Sequence, residues 1–206
     1  FDDDMQLFHL CITNIDELER LKKTKYVQSK IGDVFCEIQE YLKLQRTVLF
    51  AGTPCQVAGL KAFLGKEHRK LLTIDLICHG VPSPAVWEKY LYEIADGKKV
   101  IKMTFRNKEN GIQNVTLDYQ LSDGSIIKEE YGKSPYIKGF VANLYLRPSC
   151  YQCNFKGVER CSDITIGDFW GIKEYHPILY NKYGTSSVIV HSICGEKYFQ
   201  KIVNQL

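Results

Sequence analysis

The sequence lacks any apolar run long enough to cross a lipid bilayer, so we expect no membrane association. It also lacks a strong excess of either charge, since 27 basic and 24 acidic residues give a formal net charge of +3. So balanced a charge does not favour a nucleic-acid partner. The absence of internal repeats and low-complexity segments excludes a repeat architecture. No Ser-His-Asp or paired-carboxylate pattern indicates hydrolytic chemistry.

The chain also lacks an initiator Met and a signal peptide at its start. It opens on Phe1, and it stops within an apparent helix, GEKYFQKIVNQL. We therefore expect an excerpt of a longer protein, with residues 1–24 as the tail of a preceding N-terminal part. A chain of 206 residues can bury a sizeable core without disulfides, and we expect residues 1–206 to form a single α/β redox domain.

Strand and helix patterns alternate along the first half of the chain. Strand patterns at 5–12, 47–50 and 71–78 are interleaved with helical patterns at 14–27, 33–44, 57–64 and 84–95. The first of these helices has Asn14 as its cap, with Ile15, Leu18 and Leu21 on one face. Short connections between alternating strands and helices predict a mostly parallel sheet with flanking helices.

The pattern changes at Val100. Alternating apolar and polar residues on either side of Asp123-Gly124 predict an antiparallel β insertion over residues 100–131. A helical pattern follows from Ser134, and two further strand patterns, DITIGD and GTSSVIVHS, lie near the C-terminus. The predicted fold class is α/β.

The stretch TVLFAGTPCQVAGL, residues 47–60, predicts a buried strand, a tight loop and a helix. Cys55 then lies just beyond a strand end and near a helix N-terminus, where backbone N–H groups favour an anion or a thiolate. A buried structural thiol would explain the same residue.

Eight cysteines are many for a chain whose other features are typical of an intracellular protein. Cys150 and Cys153 form a CxxC pair whose spacing lets two thiolates converge on one metal or cluster. Half of a zinc knuckle, a thioredoxin-like redox pair and half of a cluster site remain open, although Pro148 disfavours the thioredoxin-like helix. Clustered thiols also indicate a reducing compartment, and we expect the cytoplasm.

The remaining soft ligands must come from elsewhere in the chain. Cys55 and Cys78 are the natural suppliers, because each follows a predicted parallel strand and the two strands are expected to be neighbours. Cys161 and His79 are rival ligands. Burial near a strand and a hydrogen bond beside a turn, respectively, would explain those two residues equally well.

Several of these motifs together resemble one family. The segments KYVQSKIGDVF, VLFAGTPCQVAGL, LLTIDLICHGVPSP, CYQCNF and SDITIGDFWG are similar to those of the coenzyme F420 hydrogenase/dehydrogenase β-subunit family. The resemblance runs in order from about Lys25 to Lys197. The family's N-terminal part, and the ferredoxin-type segment that some members carry, would precede Phe1.

The resemblance implies an iron–sulfur flavoprotein oxidoreductase that passes electrons between a [4Fe–4S] cluster and FAD and on to a substrate or deazaflavin. It implies a cluster-binding segment over residues 147–171. The cysteines that match the cluster ligands are Cys55, Cys78, Cys150 and Cys153. Cys161 departs from the family pattern, in which an apolar residue is usual.

The resemblance also implies a flavin site. The residues expected to face the flavin are Lys25, Gln28, Ser29, Gly52, Thr53, Gln56 and Asp168. Small residues and backbone N–H groups can approach phosphates, and Lys25 could pair with a negative charge. Each of these residues also has a structural explanation, as a helix end, a turn or a strand terminus.

The partners that follow are an electron donor, such as a ferredoxin-type module or subunit, and a small-molecule acceptor, with a homo-oligomer possible. Two other functions fit the same residues. A zinc-stabilised, non-catalytic interaction module would use the thiolates structurally. An accessory protein of cell-surface polysaccharide biosynthesis would keep the fold without redox activity.

Overall fold

A computed structural model of the protein describes residues 1–205. The helices are α1 (Val34–Lys43), α2 (Pro54–Leu64), α3 (Pro84–Ala95), α4 (Pro135–Val141), α5 (Pro148–Tyr151), α6 (Ile172–Tyr175) and α7 (Ile193–Val203). The strands are β1 (Val48–Gly52), β2 (Leu71–Leu76), β3 (Val100–Asn107), β4 (Thr116–Leu121), β5 (Ile126–Glu130), β6 (Ile164–Asp168) and β7 (Ser186–Val190). In residues 1–205, no helix has both the length and the apolar character needed to cross a bilayer. The final residue of the predicted C-terminal helix, Leu206, lies outside the described part.

The chain divides into two compact units. Unit 1 comprises residues 1–32 and 80–152, and unit 2 comprises residues 33–79 and 153–206. The chain passes between them at Gly32–Asp33, at His79–Gly80 and again inside the CxxC motif, at Gln152–Cys153. The predicted single redox domain over residues 1–206, its 1–24 tail and its cluster-binding segment at 147–171 stay predictions.

Unit 2 contains the mostly parallel sheet, which confirms the predicted fold class. Its strand order is β1-β2-β6-β7, with β1, β2 and β6 parallel and β7 antiparallel at the edge. The direct pairing of β1 with β2 confirms that the strands preceding Cys55 and Cys78 are neighbours.

The core of unit 2 lies between this sheet and helices α1 and α2. Val57 and Leu60 on α2 are completely buried, and they pack with Phe50 of β1 and Ile38 of α1. The buried apolar residues of α1 and α2 recur at helical spacing, so the periodicity of apolar residues in the sequence identifies the buried faces of both helices correctly. Helix α2 is followed by Gly65, whose φ of 67° is the left-handed conformation typical of a helix C-terminus.

Unit 1 contains the antiparallel sheet β3-β4-β5, which confirms the predicted insertion. Gly124 has a φ of 85° in the turn between β4 and β5, as the Asp123-Gly124 pair predicts. The core is aromatic: Trp87 of α3 lies 5.0 Å from Phe105 and 5.2 Å from Tyr136, measured between ring centroids. The Trp87 indole also donates a hydrogen bond to the carbonyl of Met5, which fastens the N-terminal segment to this core.

Two predictions for the first 27 residues are wrong. Residues 5–12 form only an isolated parallel bridge between Phe8 and Lys30, and the predicted helix is a 3₁₀ turn over Ile15–Arg20. Asn14 does cap this turn by accepting the Asp16 N–H. Ile15 remains 76% exposed, and Leu18 and Leu21 are also exposed, so the apolar face that should have stabilised a longer helix is not buried.

A buried carboxylate joins β2, β6 and α7 in unit 2. Asp163 accepts hydrogen bonds from the Thr73 N–H and hydroxyl, both at 2.7 Å, and from the Ser192 hydroxyl at 2.5 Å. Ser192 in turn accepts the Gly195 N–H at the start of α7. Burial by itself would raise the pKa of Asp163, but the hydrogen bonds from Ser192 and Thr73 outweigh it and hold the pKa below its ordinary value of 3.8.

This pKa shift predicts a loss of stability in acid. A carboxylate with a depressed pKa stabilises the fold above its unfolded pKa, and that contribution disappears as the pH falls through the folded pKa. We expect Asp163→Asn to cost about 2 kcal/mol at neutral pH, because an amide nitrogen cannot accept these hydrogen bonds. Urea unfolding measured from neutral pH down to about pH 2 should show a shallower acid decline for the variant than for the native chain. Equal slopes for the two proteins would contradict the assignment.

Candidate functional site

The carboxyl ends of the three parallel strands of unit 2 lie at one edge of the sheet. Gly52 ends β1, Leu76 ends β2 and Asp168 ends β6. Cys55 follows the first of these ends and Cys78 follows the second. Loops at the carboxyl ends of parallel strands are where open α/β sheets bind ligands, so the topology brings the chemically distinctive residues of unit 2 to such an edge.

The turn between β1 and α2 is built around a close backbone approach. A Cβ atom on Gly52 would lie 3.1 Å from both the Gln56 Oε1 and the Phe50 ring, which leaves little room for a side chain. Gln56 Oε1 accepts the N–H of Thr53 at 2.9 Å, so the Gln56 side chain folds back over the helix N-terminus. Three of the residues expected to face the flavin, Gly52, Thr53 and Gln56, are therefore brought together.

Cys55 lies in the first turn of α2, a helix of 11 residues. Its thiol is solvent-exposed and lies 3.2 Å from the Thr53 hydroxyl. The N–H groups at the start of a helix are oriented toward any negative charge there. The position therefore suits a thiolate ligand, as the sequence predicts.

Cys150 belongs to unit 1, where its surroundings are well defined. The N–H of Arg147 donates to the carbonyl of Val81 at 2.9 Å, which pairs the two segments. This pairing places Cys150 beside Gly80, where a Cβ added to the glycine would come within 3.4 Å of the Cys150 Cβ and 2.8 Å of Leu146. Since Gly80 also has a φ of 154°, both space and backbone conformation favour glycine directly after Cys78-His79.

Cys153 and Cys161 belong to unit 2 and precede β6. Cys153 is partly buried and Cys161 is exposed, and none of the eight cysteines forms a disulfide. Within residues 1–205, no three His, Cys, Asp or Glu side chains are grouped closely enough to hold a metal ion. The thiols fit a cluster in chemical type, whereas their convergence stays a prediction.

The other expected flavin contacts are distributed over both units. Lys25, Gln28 and Ser29 lie in unit 1, whereas Asp168 ends β6 in unit 2. The Lys25 amine donates to the carbonyls of Leu21 and Lys22. Burial, followed by the charge of Lys23, lowers the pKa of Lys25 below its usual 10.5. The flavin-facing role of these residues stays a prediction.

Sequence reasoning missed a group of buried polar residues in the strands of this sheet. Asp75 and Thr165 are paired across β2 and β6, and both are almost completely buried. One signal was available, because Asp75 is the only charged residue in the apolar run LLTIDLIC. A carboxylate inside a strand that is otherwise apolar requires a compensating partner.

Comparison with known proteins relates the chain to one protein family and to solved structures. A family model that describes the C terminus of the coenzyme F420 hydrogenase/dehydrogenase beta subunit matches residues 45–206. A chain of the F420-reducing [NiFe] hydrogenase complex from Methanosarcina barkeri is similar in structure, with a TM-score of 0.55 and 18% identity over 92% of the present chain. The present chain spans 59% of that chain's length. No curated protein sequence matches.

The Gln56 contact generates a prediction about the β1–α2 turn. We expect Gln56→Ala to lower the free energy of unfolding by about 1 kcal/mol, because the Thr53 N–H loses its acceptor at the helix N-terminus. Gln56→Glu is the matched control, since a carboxylate retains the acceptor and is favoured near the positive end of the helix. Urea unfolding of the three proteins measures the difference. A Glu variant as unstable as the Ala variant would contradict the proposed role of the acceptor.

Proposed function

Because the chain belongs to the coenzyme F420 hydrogenase/dehydrogenase β-subunit family, we propose that it is an iron–sulfur flavoprotein oxidoreductase. In this proposal Cys55, Cys78, Cys150 and Cys153 hold a [4Fe–4S] cluster, and the chain also binds FAD. All four cysteines lie inside the family match at residues 45–206. When bound, the two cofactors supply single-electron and two-electron transfer to a substrate or deazaflavin.

The observation that carries the proposal is the pairing of β1 with β2. This parallel pair supports a common cofactor site, because Cys55 and Cys78 each follow one of the two strands at the same edge. Cys153 lies three residues after Cys150, a spacing that lets two thiolates bind one centre. Thiolate donors select iron–sulfur clusters or zinc, and the family relationship favours the cluster.

The chain's own residues would orient the flavin and limit access of water. The β1–α2 turn beside Gly52 would offer backbone N–H groups that can donate hydrogen bonds to the flavin. Thr53 and Gln56 offer neutral polar groups at the same place. The other residues proposed to face the flavin are Lys25, Gln28, Ser29 and Asp168.

The partners of this reaction follow from its chemistry. The similar chain from Methanosarcina barkeri belongs to a hydrogenase complex, which supports a multi-subunit setting for the present protein. We propose a ferredoxin-type module or subunit as electron donor and a small molecule as acceptor. A cytoplasmic location fits a cluster held by reduced thiols.

The proposal predicts a coloured protein. Anaerobically purified chain should show a broad brown iron–sulfur absorption, about four irons per chain and a flavin that is released on denaturation. Metal analysis, visible absorption and fluorescence of the released flavin measure these properties. A colourless protein with zinc and no flavin would instead support the interaction module, and one with neither metal nor flavin would support the accessory role in polysaccharide synthesis.

A second prediction concerns the ligands. Cys78→Ser and Cys153→Ser should each reduce iron to less than about one atom per chain, because a neutral hydroxyl does not replace a thiolate. Cys36→Ser is the control, since Cys36 is exposed on α1 and is not one of the four proposed ligands. Iron content after anaerobic reconstitution is the measurement. Damage by Cys161→Ser together with tolerance of Cys78→Ser would show that the ligand set is wrong.

A further inference from the structure

The segment between Cys153 and β6 contains no helix or strand. It carries Phe155, Arg160 and Cys161, and Val158 in its middle is 91% exposed. A segment with so little regular structure does not fix the position of Cys153 by its own backbone hydrogen bonds. Side-chain contacts with the rest of unit 2 therefore contribute to its position.

Arg160 makes a contact of this kind. Its side chain is only 9% exposed, although it lies in a surface segment. Its Nη1 donates to the carbonyl of Phe155 at 2.8 Å and lies 3.8 Å from Oδ2 of Asp75. One guanidinium group thus connects the backbone close to Cys153 with a carboxylate in the middle strand pair of the sheet.

Asp75 is fixed from its other side. Its Oδ1 accepts the Thr165 hydroxyl at 2.5 Å, and the Thr165 oxygen lies 2.8 Å from Nε2 of His191. Among residues 1–205, none donates a hydrogen bond to Oδ2, so Arg160 is the charge that faces this oxygen. Burying a carboxylate at 0% side-chain exposure is unfavourable unless a cation compensates it, and the buried Asp75 charge therefore attracts Arg160 to this position.

The position of Asp75 relates this ion pair to the candidate site. Asp75 lies opposite Gly52 in the β1–β2 register and one residue before the end of β2. Phe155 follows Cys153 by two residues, which span at most about 7 Å of extended chain. The Arg160 contact therefore limits how far Cys153 can move from the edge that carries Cys55 and Cys78.

We propose that the buried Asp75–Arg160 ion pair is a positioning device that holds Cys153 at the carboxyl edge of the unit 2 sheet. A role of this ion pair in cluster binding rests on the proposed function, since Cys153 is one of the proposed cluster ligands. Asp75 and Arg160 are positioning residues, because they act on Cys153 through the Phe155 backbone. The positioning itself is a property of the chain and exists without the cluster.

The test is the reactivity of Cys153 in the full chain after its metal has been removed with a chelator. Iodoacetamide pulses followed by peptide mass spectrometry give the alkylation rate of each cysteine, with exposed Cys36 as internal reference. We expect Arg160→Met to raise the Cys153 rate by about fivefold or more, because the segment opens locally. Arg160→Lys retains the positive charge. We therefore expect Cys153 in this variant to keep most of the protection from alkylation that it has in the native chain.

Two further variants separate positioning from a general loss of structure. Lys61→Met is the matched control, because the Lys61 amine donates to the carbonyl of Cys161 in the same segment. It should change the reactivity of Cys161 and leave that of Cys153 unaltered. The double variant Asp75→Asn/Arg160→Met removes both charges and avoids an uncompensated buried carboxylate. It should raise the Cys153 rate no further than Arg160→Met does by itself, since the two residues act as one pair.

The inference is overturned if Arg160→Met keeps a native circular dichroism spectrum and Cys153 remains as protected as in the native chain. It is also overturned if Lys61→Met exposes Cys153 to the same extent. Iron uptake on reconstitution is a separate readout, which we expect to fall in Arg160→Met. If the native chain takes up no iron, the proposed function fails, while the alkylation rates still decide whether the ion pair positions Cys153.

Discussion

The parallel pairing of β1 with β2 is the constraint on which the candidate site depends. Parallel strands end at the same edge, so the residues that follow them are brought together irrespective of their separation in the sequence. In this chain those residues are Cys55 and Cys78. The pairing is stabilised on one side by the apolar face of α2, whose Val57 and Leu60 are completely buried. The hydrophobic core of unit 2 thereby supports the geometry of its functional edge.

Buried carboxylates fasten the less regular parts of unit 2 to this sheet. Asp163 binds the N-terminus of α7 through Ser192, and Asp75 faces Arg160 in the segment that follows the CxxC motif. Each carboxylate is also held by a threonine of a neighbouring strand, Thr73 or Thr165. Buried charges require partners of this kind. Two polar contacts thus attach α7 and the segment after the CxxC motif to the sheet.

Unit 1 is built on a different principle. Its antiparallel sheet and α3 enclose an aromatic core around Trp87 and Tyr136, and Tyr90 donates its hydroxyl to the Glu129 carboxylate at 2.6 Å. Burial, and after it the hydrogen bond to Glu129, raises the pKa of Tyr90 to about 12. Tyr90 therefore remains a hydrogen-bond donor throughout the physiological pH range. Cys150 and Gly80 are both positioned within this unit. The CxxC motif therefore draws its two thiols from segments with different structural support.

Local patterns in the amino-acid sequence were sufficient for the fold class, the β1–α2 turn and the Asp123-Gly124 hairpin, because these depend on periodicity and turn chemistry. The family followed instead from the resemblance of several motifs. The same kind of pattern led to wrong structures for residues 5–27, since a short apolar pattern forms a helix or strand only when another element packs against it. The pairing of β6 with β2 and the approach of Arg160 to Asp75 could be learned only from the folded chain. Such contacts between distant segments depend on strand order and on charge compensation in the folded core, which no local pattern specifies.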